Sequence, residues 1–152
     1  HVVGRLTAEQ VKMRIGCALE QEDDPSMPVK GRNAVTGLPC VQQVRSSEIR
    51  EAIREPLEQM VAAIQQVMEK TPPELTGDIL DSGIVLTGGA AQLNGLAELL
   101  TRRTGVVCRV AENPADCVAV GTGKALKYVG VLSSGVYDIS RFTTSALDPT
   151  GF

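Results

Sequence analysis

The chain has no tryptophan, a single histidine, and only two tyrosines and two phenylalanines in 152 residues. Unpaired nucleic-acid bases are held by stacking on aromatic rings, so a surface of that kind is not expected. A surplus of positive charge is missing too: 15 Lys and Arg stand against 18 Asp and Glu, for a formal net charge of -3. That balance argues against a partner bound by neutralising phosphates, and nucleic acid is not expected as one. No apolar run approaches the roughly 20 residues of a membrane-spanning helix. The opening His1-Val2-Val3-Gly4-Arg5 lacks a basic stretch followed by an apolar core, so no signal peptide is expected. Without an initiator methionine the chain reads as a fragment or a processed product. Cys17, Cys40, Cys108 and Cys117 form no CxxC pair, and His1 is the sole histidine, so a zinc site lacks its ligands. The cysteines read as small apolar residues kept reduced in cytosol rather than as a disulfide framework.

What is present is an ordinary globular balance, 43% hydrophobic against 22% charged. The length suits one domain, or two small lobes sharing a boundary. With aromatics at 3%, the interior must be filled by Leu, Ile, Val, Met and Ala.

Periodicity organises the chain. Thr7 and Gln10 have the spacing of a capping box, and Val11, Ile15, Ala18 and Leu19 follow at helical steps, which predicts an amphipathic helix over 8–20. Pro25 and Pro28 prevent its continuation. Met27 to Lys30 can extend, Gly31-Arg32-Asn33 is turn chemistry, Val35-Thr36 begins a return, and 40–44 reads as a strand or an irregular polar loop. Ser47 is the predicted N-cap of the longest helix, whose stripe of Ile49, Ile53, Leu57, Met60, Val61, Ile64, Val67 and Met68 reads as core. Pro56 predicts a bend or restart before the helix runs on to about Lys70. From residue 72 the order is α-β-α-β-α: a short helix after Thr71-Pro72-Pro73, a strand over 83–87, a helix from Gln92 or Leu93 to Arg103 with Gly105 at C′, a strand over 106–110, and a helix over 115–129. That alternation predicts parallel strands with helices on both faces. Residues after Gly130 lose periodicity and read as a flexible or partner-dependent tail.

The segment richest in chemistry is Ile84-Val85-Leu86-Thr87-Gly88-Gly89-Ala90-Ala91. A buried strand brings two glycines to its C-terminal end, where α/β sheets place ligands and where glycine lets backbone approach them closely. Alone, such a pair can be only a tight turn. A P-loop lysine and GxGxxG spacing are both absent. On the first helix Glu9 and Lys12, three apart, project together. By themselves they could be an ordinary solvated pair worth about 0.2–0.5 kcal/mol.

Residues 84–91 resemble the adenosine motif of the actin, sugar-kinase and heat-shock-chaperone ATPase superfamily. The resemblance narrows to the bacterial actin-like, rod-shape-determining MreB class through several motifs. These are Gly31-Arg32-Asn33 with Val35-Thr36-Gly37-Leu38-Pro39, Thr71-Pro72-Pro73-Glu74-Leu75, and Gly83-Ile84-Val85-Leu86-Thr87-Gly88-Gly89. Val110-Ala111-Glu112-Asn113-Pro114, Cys117-Val118-Ala119 and Gly121-Thr122-Gly123 continue the series. They fall in order across about residues 4–128, and together they are highly specific. The implied fold is α/β, a partial actin-like ATPase fold: a large-lobe parallel sheet with helices plus a small α+β lobe. Residues 1–70 would form the small, filament-contacting lobe, 71–128 the adenosine-binding part of the large lobe, and 129–152 the tail, flexible or packed on an absent N-terminal half.

The resemblance also implies roles. Glu9 would accept hydrogen bonds from ribose hydroxyls, the stem of Lys12 would cover adenine, and Gly88, Gly89 and Ala90 would lie against the base and ribose. Ala90 departs from the family, which usually has a third glycine there. Gly121 and Gly123 would serve the interdomain connection, or helix packing alone. The complete protein would bind ATP or ADP with Mg2+, whereas this segment, lacking phosphate hairpins and catalytic residues, would bind no metal and hydrolyse nothing alone. Its expected partners are copies of itself in a filament, and membrane-anchored cytoskeletal and cell-wall synthesis proteins. The filaments would lie in the cytoplasm at the inner face of the membrane, with no direct membrane contact from this segment. A small-molecule kinase of the same superfamily, or a truncated non-catalytic docking module, are the alternatives.

Overall fold

The computed structural model describes residues 2–126. The chain divides into two compact units, one ending at Ala115 and the other beginning at Asp116. The first carries α1 (Arg5–Ile15), β1 (Ser26–Arg32), β2 (Pro39–Arg45), α2 (Ser46–Lys70), α3 (Pro73–Ser82), β3 (Ile84–Leu86), a 3-10 turn (Gly89–Gln92), α4 (Leu96–Thr104) and β4 (Cys108–Val110). The described part of the second carries α5 (Cys117–Ala125), inside the helix predicted over 115–129. The end of that helix and the tail fall outside the described residues.

α1 begins and ends earlier than its periodicity predicts. Gly4 is its N-cap, with no side-chain cap, and Thr7 lies within the helix. Val2 pairs with Arg32, donating its N–H to the Arg32 carbonyl at 2.8 Å and accepting the Arg32 N–H at 3.0 Å. That bridge fixes the chain just ahead of Gly4. At the other end Gly16 is extended, Cys17 pairs in parallel with Asn94, and the Ala18 N–H donates to the Asn94 carbonyl at 2.8 Å. Residues 17–20 keep helical spacing of apolar side chains, but their backbone is claimed by this distant partner.

β1 and β2 form an antiparallel hairpin in register from Ser26↔Arg45 to Arg32↔Pro39, so a strand does occupy 40–44. The turn sits later than expected. The Asn33 side-chain oxygen accepts the N–H groups of Val35 and Thr36 at 2.8 and 3.0 Å, and Gly37 takes φ +73°. Gly31 and Arg32 therefore remain in β1, and Val35-Thr36 is turn rather than returning strand.

α2 is one continuous helix through Pro56, not two pieces. The proline removes one donor and crowds the preceding turn, at a cost of about 3 kcal/mol in a helix interior. Leu57 and Val61 are buried on the next turns, with Ile53 and Ile64 packed against the same core. Burial of such side chains stabilises by about 1.5–3 kcal/mol each, enough to hold the helix across the proline. Its N-cap is Arg45, so Ser47 lies inside the first turn and is itself capped by Asp24.

β3 and β4 are parallel, in register from Ile84↔Cys108 to Leu86↔Val110, with α4 between them in sequence. This is the crossover that the α/β alternation predicts. Ala18, Leu57, Val61, Leu96, Leu100 and Cys108 make the buried core. Both oxygens of Glu58 accept from the Arg103 guanidinium, each at 2.7 Å, tying α4 to α2. Gly105 holds the predicted left-handed position after α4. The start of α4 differs from expectation: Gly95 at φ +73° interrupts the backbone, leaving the 3-10 turn before it and the helix proper after it.

Candidate functional site

Two elements far apart in sequence face one another across a cleft of about 370 Å³. One wall is α1, through Glu9, Lys12 and Met13, and Gly16 just beyond its end. The other is the turn after β3 and its continuation, through Gly89, Ala90, Gln92, Leu93 and Asn94, with Ala115 completing the lining.

The α1 wall follows from helical geometry, because positions 9, 12, 13 and 16 follow steps of three and four and so share a face. The buried Val11 helps seat the helix. The second wall follows from β3, which ends at Leu86 and delivers Gly88 at φ +87° and ψ 164°, a conformation close to glycine's alone. The Gly88 N–H donates to the Pro114 carbonyl, and the Gly88 carbonyl accepts the Ala91 N–H. Ala91 is buried beneath the turn.

Four of the five residues singled out from the sequence, Glu9, Lys12, Gly89 and Ala90, thus line one cleft. Gly88 does not line it; its place is in the turn that presents Gly89. A Cβ added to Gly89 would meet no heavy atom within 4 Å, and its φ is unexceptional, so packing within the chain does not demand glycine there. Gly121 and Gly123 lie inside α5. Sequence reasoning missed Met13, Gly16, Gln92, Leu93, Asn94 and Ala115. Met13 and Gly16 were within reach, since they extend the Glu9–Lys12 face by the same spacing.

The electrostatics suit a polar ligand. Among the described residues the ion pairs join Arg45 to Asp24, Arg50 to Glu20, Arg54 to Glu51, Arg102 to Glu98 and Arg103 to Glu58, leaving Glu9 and Lys12 with none. A carboxylate can only accept, which suits hydroxyl donors, while a lysine offers three donors on an apolar stem. Met13, 71% exposed, and Leu93 add apolar surface, and Gln92 and Asn94 add amides. The set fits a nucleoside. No three His, Cys, Asp or Glu side chains come together to hold a metal ion among the described residues.

The family model described as MreB/Mbl protein matches residues 1–134. The chain is 45% identical over 125 residues to the cell shape-determining protein Mbl of Bacillus subtilis, covering 82% of this chain and 38% of that protein. It is 44% identical over 128 residues to the cell shape-determining protein MreB of Escherichia coli K12, covering 84% of this chain and 37% of that one. It therefore spans less than two fifths of the length of these relatives. Among solved structures it resembles MreB5 of Spiroplasma citri bound to ADP, with a TM-score of 0.78 and 31% identity over 84% of this chain and 39% of that one. The same protein bound to AMPPNP gives a TM-score of 0.79 at 30% identity, over 88% of this chain and 40% of that one. The chain belongs to the MreB/Mbl protein family, and its fold is part of the actin-like fold of that family.

Proposed function

We propose that this chain supplies the adenosine side of the ATP site in an actin-like cytoskeletal protein that polymerises into filaments and determines cell shape by guiding cell-wall synthesis. The observation that carries the reading is the shared cleft: Glu9 and Lys12 from α1 face Gly89 and Ala90 from the turn after β3. Glu9 accepts from ribose hydroxyls, the stem of Lys12 covers the base, and the bare backbone at Gly89 lets the nucleoside lie close. Gly88 acts through the turn. The nucleotide-bound state of the MreB5 structures and the shape-determining role in the relatives' names support the same reading.

Phosphate and Mg2+ binding, and with them hydrolysis, are assigned to the remainder of the complete protein. Within this chain residues 1–70 form the filament-contacting lobe and 71–128 the adenosine-binding part of the large lobe. The partners are further copies of the protein, and membrane-anchored cytoskeletal and cell-wall synthesis proteins met in the cytoplasm at the membrane's inner face. No helix of the described residues is long and apolar enough to cross a membrane.

Calorimetry with ATP and ADP on the complete gene product tests the reading, comparing the natural sequence with Lys12→Ala and Gly89→Val. Loss of binding in both variants, with circular dichroism unchanged, is the expected result. Binding that survives both changes overturns the pocket assignment and makes the cleft a structural crease.

A further inference from the structure

The two walls of the cleft are joined at one end. Past Gly16 the chain runs into the parallel bridge between Cys17 and Asn94, where the Ala18 N–H meets the Asn94 carbonyl at 2.8 Å. A glycine stands on each side of this bridge, and a side chain would overlap its surroundings at one and be crowded at the other. A Cβ on Gly16 would overlap the Lys12 carbonyl oxygen, which the Gly16 N–H reaches at 2.8 Å, and would lie 3.3 Å from Leu93 Cδ1. A Cβ on Gly95 would lie 3.1 Å from Leu19 Cγ and 3.3 Å from both Cys17 Sγ and Leu19 Cβ.

Of the two residues that a Gly95 Cβ would meet, Cys17 is buried and Leu19 is half-buried, so packing holds the first and leaves the second some room to give. Gly95 directly follows Leu93 and Asn94 of one wall, and Leu19 lies just past the link from α1, the other wall, so crowding between Gly95 and Leu19 falls where the two walls meet. At Gly16 the overlap is with backbone, so something must shift; at Gly95 the contacts are with side chains at 3.1–3.3 Å, closer than most real Cβ contacts, so a neighbour must give by a few tenths of an ångström.

We infer that Gly16 and Gly95 form a clasp that sets the width of the nucleoside cleft: they are positioning residues, acting through the Cys17–Asn94 bridge without touching the ligand. The inference rests on the adenosine reading of that cleft. It assigns Gly95 a role distinct from the turn it makes, and the molecule supplies a matched control. Gly105 has φ +75° against +73° at Gly95, at the opposite end of the same helix, but a Cβ there would meet nothing within 4 Å. Alanine therefore brings the same backbone strain at both sites and crowding only at Gly95.

The test is ADP affinity and Ala18 amide hydrogen exchange on the complete gene product, for the natural sequence, Gly95→Ala, Gly105→Ala and Gly95→Ala with Leu19→Ala. Gly95→Ala should lose on the order of tenfold in affinity, the scale of mutations that shift a site without contacting its ligand. Gly105→Ala should bind like the natural protein, and removing Leu19 Cγ should recover part of the Gly95→Ala loss. Equal affinity in the two single alanine variants overturns the clasp. If the natural protein binds no ADP, the adenosine reading falls, and exchange still decides the clasp. Faster Ala18 exchange in Gly95→Ala than in Gly105→Ala sustains it as a spacer of the two walls, and equal exchange overturns it.

Discussion

The carboxylate of Asp24 accepts both the backbone N–H and the hydroxyl of Ser47, at 2.8 and 2.9 Å, and so caps α2 from outside the helix. Asp24 does this from φ +36°, among the described residues the one non-glycine with positive φ. Arg45 stands 3.7 Å from the same carboxylate, and the Arg45 N–H is received by Glu48 at 2.8 Å. The first turn of α2 thus has carboxylate acceptors on two of the donors that a helix start leaves orphaned.

Those contacts make the cap depend on pH. The backbone hydrogen bond from Ser47 first, then its hydroxyl, with smaller help from Arg45 and Arg50, hold the Asp24 carboxyl below the ordinary aspartate value of 3.8. A folded value below the unfolded one means that the charged form is favoured by folding. The stabilisation is therefore complete above pH 3.8 and disappears as pH falls through the lower folded value. Asp24→Asn keeps an acceptor and tolerates the left-handed backbone but loses the charge. Its melting midpoint should lie below that of the natural protein at pH 7, and the two should converge as the solution is acidified below pH 3.8. Parallel curves across that range would assign the cap no charge-dependent part.

Pro56→Ala should stabilise the chain. Alanine at this position restores an N–H to pair with the Ala52 carbonyl and removes the ring from the preceding turn of a helix that is already continuous. The gain should be about 1–3 kcal/mol, below or equal to the full interior cost because the exposed helix already accommodates the ring. Urea denaturation measures it; an unchanged midpoint would mean that α2 relieves the proline by local bending.

What was legible in the sequence was what local pattern controls. The α/β alternation from residue 72 emerged because apolar runs there are bounded by glycines, and Gly105 was readable as a helix stop from its position alone. The Glu9–Lys12 pair was readable as one helix face, although pairing that face with the glycines after β3 came from the family motifs and not from spacing. Three of the failures share one cause, a partner distant in sequence. Residues 17–20 leave the helix because Asn94 takes the Ala18 N–H, Ser47 is capped by Asp24 rather than being the cap, and α2 stays intact through Pro56 because the core holds its flanks. Gln92, Leu93 and Asn94 entered the cleft wall for a related reason, since Gly95 breaks the helix that periodicity would have run through them.

Leu100 should be among the costliest core positions to truncate. It is fully buried on α4, packed in the cluster that joins α2, α4 and the parallel strands. Leu100→Ala removes that packing and leaves a cavity, and should cost about 2–5 kcal/mol in denaturant unfolding. Val35→Ala, at the hairpin turn where the side chain is 94% exposed, should change stability by less than about 0.5 kcal/mol. A small loss at Leu100 would show that the core collapses to fill the space.

Gly88 and Gly89 are adjacent but should fail in different ways. Gly88 occupies φ +87° and ψ 164°, where a Cβ is strained even though no atom lies within 4 Å of it. Gly88→Ala should therefore cost about 1–3 kcal/mol of stability, with or without nucleotide. Gly89 has neither the strained φ nor a close neighbour, and it faces the cleft. Gly89→Ala should leave thermal unfolding of the unliganded protein within about 0.5 kcal/mol, because nothing in the fold resists the added methyl. Its effect should appear only when nucleotide is added: ligand that binds the folded state raises the midpoint, and the variant should show a smaller rise at equal ADP concentration. Equal rises in the natural and Gly89→Ala proteins would mean that the base does not pass over this residue, and would move the nucleoside towards the α1 wall of the cleft.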